Sequence, residues 1–482
     1  MSSMHYFAAL SVTLLGAILL LIHLAFKWTN GGRTGKEGML PPGSRGLPLL
    51  GETLEFFAAS PTLELVPFFK RRLERFGPIF RTNIIGEDLI VSLDPELNAL
   101  VLQQEERGFQ IWYPSSFMRV LGASNIVSAL GPLHRHIRNL VLRLFGPEAL
   151  RLVLLHDVQR SARDELRSWL DRPDVEVKTA TSRMIFGITA RKLISHDDAA
   201  SGGSLCKCFD AWTKGLLSFP LCVPGTAFYK SMRGRQNVMK ILKRQLDERR
   251  SAAKRKTVDF FDLVIDELNK PNPIMNENVA LDLLLLLLFA SHETTSIGLT
   301  AIIKFLTDNP KALQELTDEH EKIVERRVDP DSDITWEEYK SMKFTSHVIH
   351  ESLRMANIAP VVFRQANHDV HIKGYTIPEG SKIMICPSAA HLNSDVYEDP
   401  LAFNPWRWKD TPEPVGGSKD FMAFGIGLRL CVGADFAKLQ MAMFLHCLVT
   451  NYRWKAISKG KMMFYPGLRF PDGFRIQLLT KA

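Results

Sequence analysis

Apolar positions recur with a helical period over Pro61–Phe76, Leu133–Leu144, Val158–Leu170, Val238–Ala253, Asp259–Leu268, Lys311–Arg326 and Glu337–Met355, and each of these stretches is predicted to be a helix. The longest such pattern opens near Asn276 and ends before Asn309-Pro310. Its six consecutive leucines, Leu283–Leu288, resemble a membrane span, but Asp282 and the pair His292-Glu293 leave too short an apolar run to cross a bilayer. A helix apolar on every side is a buried one, so this stretch reads as the spine of a domain. Strand patterns are few and short. Ile79–Gly86 with Leu89–Leu93 predicts one hairpin, and Val370–Ile377 with Lys382–Ile385 predicts another around Pro378-Glu379-Gly380. The fold class is therefore mainly α with small β-sheets.

At the N-terminus, Phe7–Phe26 forms an almost unbroken apolar run of twenty residues, about what a helix needs to cross a ~30 Å hydrocarbon layer. Lys27, Arg33 and Lys36 follow it, which by the positive-inside rule puts the C-terminal side in the cytosol. A cleavable signal peptide would have a shorter apolar region, preceding positive charge and a small-x-small cleavage site. The run is read as one N-terminal transmembrane helix. Gly31–Gly38 is a polar linker, and the prolines of Leu40–Gly51 stiffen the exit by favouring extended chain. The organisation expected is an anchor over residues 1–28, a linker and proline-rich hinge over 29–51, and one large domain over 52–482.

Chemistry concentrates in one decapeptide, Phe424-Gly425-Ile426-Gly427-Leu428-Arg429-Leu430-Cys431-Val432-Gly433, which runs into a helical pattern from Ala434 to Leu448. A cysteine at a helix N-terminus meets free backbone N–H groups and the positive end of the dipole, so Cys431 is expected to be a thiolate at neutral pH. Gly427 suits a sharp turn, and Gly433 a close approach by another group.

The decapeptide resembles the haem-binding signature of the cytochrome P-450 superfamily, and three further motifs stand in that superfamily's order. Glu351-Ser352-Leu353-Arg354 resembles its Glu-x-x-Arg pair. Phe403–Trp408 resembles the segment supplying a third member, expected to be Arg407. Ala290–Thr295 resembles the oxygen-binding segment of the central helix. The hinge, the phrase around Pro224-Gly225-Thr226 and the stretch Thr335–Met342 resemble plant family 87 of the 85 clan, which works on sterols and triterpenoids. The resemblance implies the cytochrome P-450 fold and haem b, its iron ligated by Cys431. It implies Phe424 shielding the sulfur, Gly427 and Gly433 shaping the loop, and Arg429, Arg138, His134 and Arg364 meeting the propionates. Thr294 and Glu293 are implied to deliver protons during oxygen activation, as polar groups forced into an apolar core. Ser291 stands where the family usually has glycine. Glu351, Arg354 and Arg407 are implied to be structural. Aligned segments assign Trp112, Phe117, Met118, Ala290, Ile358, Val361, Val362 and Leu468 to a substrate pocket, and their apolar character suits a rigid polycyclic lipid.

Composition narrows the remaining choices. With 482 residues, 46% of them hydrophobic, the chain can bury a large core. Six cysteines without paired spacing suit a reducing compartment. Cys206-Lys207-Cys208 lacks the second ligand pair a zinc site needs, and Ser296 stands where His-Glu-x-x-His needs its second histidine. The net charge of +8 comes without a basic stripe interleaved with stacking aromatics, which argues against nucleic acid and for a membrane surface and an acidic protein partner. Leu430 stands where a dinucleotide fingerprint needs its third glycine, so electrons are expected from a separate NADPH-cytochrome P-450 reductase. The reading is a single-pass protein of the endoplasmic reticulum membrane with a cytosolic monooxygenase domain, hydroxylating a plant sterol or triterpenoid with O2. Sterol side-chain cleavage, oxidation of a hormone or diterpenoid, O2-independent rearrangement or dehydration, and a non-catalytic lipid-binding haem membrane protein are the alternatives.

Overall fold

The computed structural model describes residues 39–481 apart from 49, 123, 125, 198–199, 201, 214, 216–217, 219–220, 252–258 and 412–416. The predicted anchor and the Gly31–Gly38 linker lie outside the described residues.

The spine is the helix Glu277–Asp308. Asn276 caps it by accepting the Val279 N–H at 3.0 Å, a bond worth about 1 kcal/mol. The following Asn309-Pro310 starts a new helix, Pro310–Glu325, with proline in its first turn where no N–H is needed. By length and composition the spine could cross a membrane, yet leucines 283, 284, 285 and 288 are wholly buried within the fold. Its most extensive partner is a helix the periodicity did not reveal, Val177–Ile194. Twelve of its residues are buried on all sides, so no amphipathic stripe marks it in the sequence.

Most predicted helices recur with shifted ends. Pro61–Phe76 shortens to Pro67–Phe76, with Pro67 setting the first turn. Val238–Ala253 lengthens toward its N-terminus to Ala227–Ser251. Glu337–Met355 breaks at Met342 into Trp336–Ser341 and Lys343–Ala356. The first piece opens with a capping box, Thr335 and Glu338 each satisfying the other's backbone N–H.

The first predicted hairpin forms as Ile79–Ile84 against Glu87–Ser92. The second is corrected. Val370–Ile372 turns at once onto Tyr375–Ile377 through Lys373-Gly374, both at positive φ. Lys382–Ile385 instead enters the five-stranded sheet, parallel to Glu87–Ser92 and antiparallel to Val362–Ala366. Burial explains the choice: Ile383, Met384 and Ile385 are all fully buried, which a two-stranded surface ribbon does not offer. Strand Phe109–Ile111 closes the sheet's far edge against Val362–Ala366. This arrangement sets Arg364 opposite Ile111 and brings the segment around residue 105 beneath the C-terminal loop.

Candidate active site

Cys431 sits in the turn before the helix Ala434–Asn451. Its N–H donates to the Phe424 carbonyl at 2.9 Å, closing the loop on itself. Gly427 is required twice: its φ is +71°, and a Cβ there would lie 2.7 Å from the Leu102 carbonyl oxygen. Gly433 is different. Its φ is −97°, and a Cβ would meet no protein atom within 4 Å, so the protein's own packing does not demand glycine. The side chain of Cys431 is solvent-accessible although protein surrounds it on most sides. Burial pushes the thiol up, and the Gly433 N–H and Arg138 pull it down only in part. A coordinated cation would favour the thiolate at Cys431, so the expected thiolate is that of the metal-bound protein.

Behind the loop, Glu351 and Arg354 lie on one face of the helix Lys343–Ala356, both with fully buried side chains. Arg354 grips Glu351 with two bonds, at 2.8 and 2.9 Å, and donates to the carbonyls of His391 and Pro400. Arg407 Nε donates to Glu351 Oε1 at 3.1 Å. Two donors not assigned from the sequence complete the carboxylate's shell, the Trp408 indole at 3.0 Å and the Asn404 N–H at 3.0 Å. Burial holds the His391 imidazole neutral, with a pKa down to about 3, so its Nε2 accepts the Met422 N–H at 2.9 Å. The network therefore reaches the backbone two residues before Phe424.

The four residues expected at the propionates gather on one side of the loop. Arg138, on the helix Gly131–Phe145, donates to the Leu430 carbonyl at 2.6 Å. His134, one turn earlier, is held neutral near pKa 4 by burial and by neighbouring Arg429 and Arg138. Arg364 and Arg429 both meet Glu105, at 3.0 and 2.5 Å. Glu105 was missed by the sequence reading; a carboxylate between two chain segments that share no motif carries no local signal. His134 Nδ1 and Arg364 Nε are buried with no hydrogen-bond partner in the protein. Buried polar atoms of this kind are costly unless a ligand satisfies them. An accessible thiol in the loop, open space at Gly433 and an arginine cluster in which Arg364 Nε is unmet together fit a haem carrying two carboxylates. No group of three or more metal-ligating side chains competes with it among the described residues.

On the spine, Ala290 and Thr294 are exposed and stand one turn apart, on a helix otherwise largely buried. Thr294 Oγ1 donates to the Ala290 carbonyl at 2.8 Å, and Ser291 Oγ donates to Leu288 at 3.1 Å. The picture of Glu293 as a charge forced into an apolar core is corrected. It is partly exposed, and Lys178 Nζ reaches both its oxygens at 3.0 Å. Buried polar residues here are instead His292 and Thr295; the His292 ring lies edge-on to Phe186 and Phe209 and bonds to the Leu288 carbonyl at 2.6 Å.

The eight expected pocket residues are spread over several packing clusters. Phe117 stacks on Tyr113 at 5.2 Å, with Met118 half-buried beside it in the helix Ser115–Leu121. Trp112 and Val361 pack onto a cluster of Phe56, Phe68, Phe69 and Phe80, and Trp112 meets Phe363 edge-on. Val362 packs toward Leu97 and Ile385 on the other side of the sheet. Ile358 is half-buried near Gly298 of the spine. Leu468, at 3% exposure, packs in a core cluster with Phe464, Phe305 and Ala301. Its strand Gly467–Arg469 alternates sides, and the leucine takes the inward one.

Comparison with known proteins agrees with this geometry. The family model for cytochrome P450 matches residues 41–470. Cytochrome P450 87A3 of Oryza sativa subsp. japonica is 51% identical over 95% of this chain and 88% of its own length. Cucurbitadienol 11-hydroxylase of Siraitia grosvenorii is 38% identical over 97% of this chain and 99% of its own. Among solved structures, retinoic acid-bound cyanobacterial CYP120A1 superposes with a TM-score of 0.82 at 27% identity, covering 92% of this chain and 100% of the other. The chain belongs to the cytochrome P450 family, within its plant family 87. It is a haem-thiolate monooxygenase with the P450 fold.

Proposed function

We propose that this chain is a membrane-anchored monooxygenase of the endoplasmic reticulum that hydroxylates a sterol or triterpenoid, drawing electrons from NADPH through a separate reductase. When bound, the haem supplies activation of O2 for insertion into a C–H bond. Cys431 holds its iron, and Arg138, Arg364, Arg429 and His134 hold its carboxylates. The observation that carries this reading is the accessible stripe of Ala290 and Thr294 on the spine. A methyl and a hydroxyl one turn apart offer a lipid an apolar contact and a proton a single hydroxyl. Glu293 and Lys178 lie at the adjacent position, where a carboxylate partly open to solvent can pass protons toward Thr294 Oγ1. The likeness to cucurbitadienol 11-hydroxylase supports a polycyclic substrate, and the basic net charge supports an acidic reductase surface.

The test is a panel of sterols, triterpenoids, diterpenoids and fatty acids in yeast microsomes carrying a plant reductase. NADPH-dependent hydroxylation of a sterol or triterpenoid is expected. Turnover confined to fatty acids or diterpenoid acids would sink the substrate assignment.

Thr294→Ala is expected to keep the haem and the substrate-induced spin shift while losing product per NADPH consumed, by roughly tenfold or more if the hydroxyl acts as a proton donor. Peroxide should account for the missing reducing equivalents. Unchanged coupling would assign proton delivery to Ser291 or water instead.

A further inference from the structure

Glu105 has no part in the haem-binding motifs, yet its carboxylate is the shared partner of two arginines that come from distant parts of the chain. Arg364 lies on the strand Val362–Ala366 and Arg429 in the thiolate loop. Glu105 Oε2 stands 3.0 Å from Arg364 and Oε1 2.5 Å from Arg429, with the Glu105 side chain fully buried. The next residue explains how it is aimed. Glu106 has φ +68°, the left-handed region that a non-glycine residue adopts at a cost. This turns neighbouring carboxylates opposite ways. Glu105 goes inward, while Glu106 goes outward to accept the Gly131 N–H at 2.8 Å and to pair with Arg135 at 3.2 Å. Gly131 begins the helix that carries His134 and Arg138. One dipeptide thus ties down every element that bears the basic cluster.

The charges count in a simple way. Arg138, Arg364 and Arg429 bring three positive charges, burial beside Arg429 and Arg138 disfavours a further charge on His134, and Glu106 is matched by Arg135. The carboxylate of Glu105 leaves a net of two, equal and opposite to a dicarboxylate ligand. Each guanidinium has five donors and spends only part of them here: Arg364 also donates to the Phe363 carbonyl and Arg429 to that of Ala129, while Arg364 Nε stays unmet.

Building on the haem reading above, we propose that Glu105 is the positioning residue of the propionate site, fixing Arg364 and Arg429 and trimming the cluster to the charge of the haem's two carboxylates. A negative charge beside the haem favours the ferric form, which carries one more positive charge than the ferrous. Its loss should therefore raise the reduction potential.

The experiment uses purified holoenzyme and measures the ferric/ferrous midpoint by spectroelectrochemistry and haem loss to excess apomyoglobin. Glu105→Gln should raise the midpoint, Arg364→Gln should lower it, and the double variant should return toward wild type. Glu105→Ala should speed haem loss roughly tenfold, the scale found for outer-shell partners. A purely structural role would lower unfolding temperature in all variants without opposite shifts in potential, and that result would overturn the proposal. Should Glu105→Gln retain no haem, recovery of haem in the double variant supports charge matching, and no recovery refutes it. The carbon monoxide spectrum of the wild type reports separately on the haem reading itself.

Discussion

Replacing Cys431 with alanine abolishes the far-red-shifted Soret band of the reduced protein under carbon monoxide, and with it all NADPH-dependent product. The side chain is solvent-accessible, so the apoprotein's stability should change by no more than about 1 kcal/mol. Urea unfolding of the apoprotein separates the two effects. Retention of the thiolate spectrum in Cys431→Ala would remove the assignment, because no other described cysteine offers the setting. Cys386 and Cys447 are buried, and burial raises them to about 11 and about 12. Cys206, Cys208 and Cys222 lie far along the chain from the loop and from the arginine cluster.

Glu351→Ala should be nearly as severe, by a different route. The substitution strands the buried guanidinium of Arg354 and leaves Arg407, the Trp408 indole and the Asn404 N–H without their acceptor. Breaking a buried ion pair from one side costs about 3–5 kcal/mol. Native domains are stable by only about 5–15 kcal/mol, so holoprotein should accumulate poorly. Yield of the carbon monoxide complex from matched expression cultures, with urea unfolding of whatever is recovered, measures this. An unfolding midpoint within error of wild type would show that the network contributes little. Glu351→Gln keeps the shape and loses the charge, and should fall between the two.

The sequence was most legible where chemistry is local. The thiolate loop, the Glu351–Arg354 turn and the spine each lie within one short stretch, and short-range geometry decides them. Helix existence was legible for most of the long helices with one face in water, but Pro95–Gln103 and Ser204–Thr213 went unpredicted, and the reading failed for Val177–Ile194, where burial on all sides erases the period. The destination of Lys382–Ile385 was misread because a strand's partner depends on which sheet can bury it, not on its neighbour in the chain. Polar residues misled in the same way. Glu293 in an apolar stretch looked stranded because Lys178, its partner, sits on another helix. Glu105 went unseen because its meaning lies entirely in Arg364 and Arg429, more than two hundred residues away.

The mixed sheet also governs when the protein can finish assembling. Leu89 pairs with Lys382, so the N-terminal hairpin waits for nearly three hundred further residues before its second neighbour exists. At ribosomal speeds that delay is on the order of tens of seconds. Throughout it, the edge of Glu87–Ser92 is open to other chains. Arg364 emerges shortly before Lys382, and Arg429 and Cys431 after it, so cofactor capture is confined to the later part of synthesis. Chaperone supply and haem supply thus act on a single late window, and whichever is scarcer in an expression host sets the yield of active enzyme.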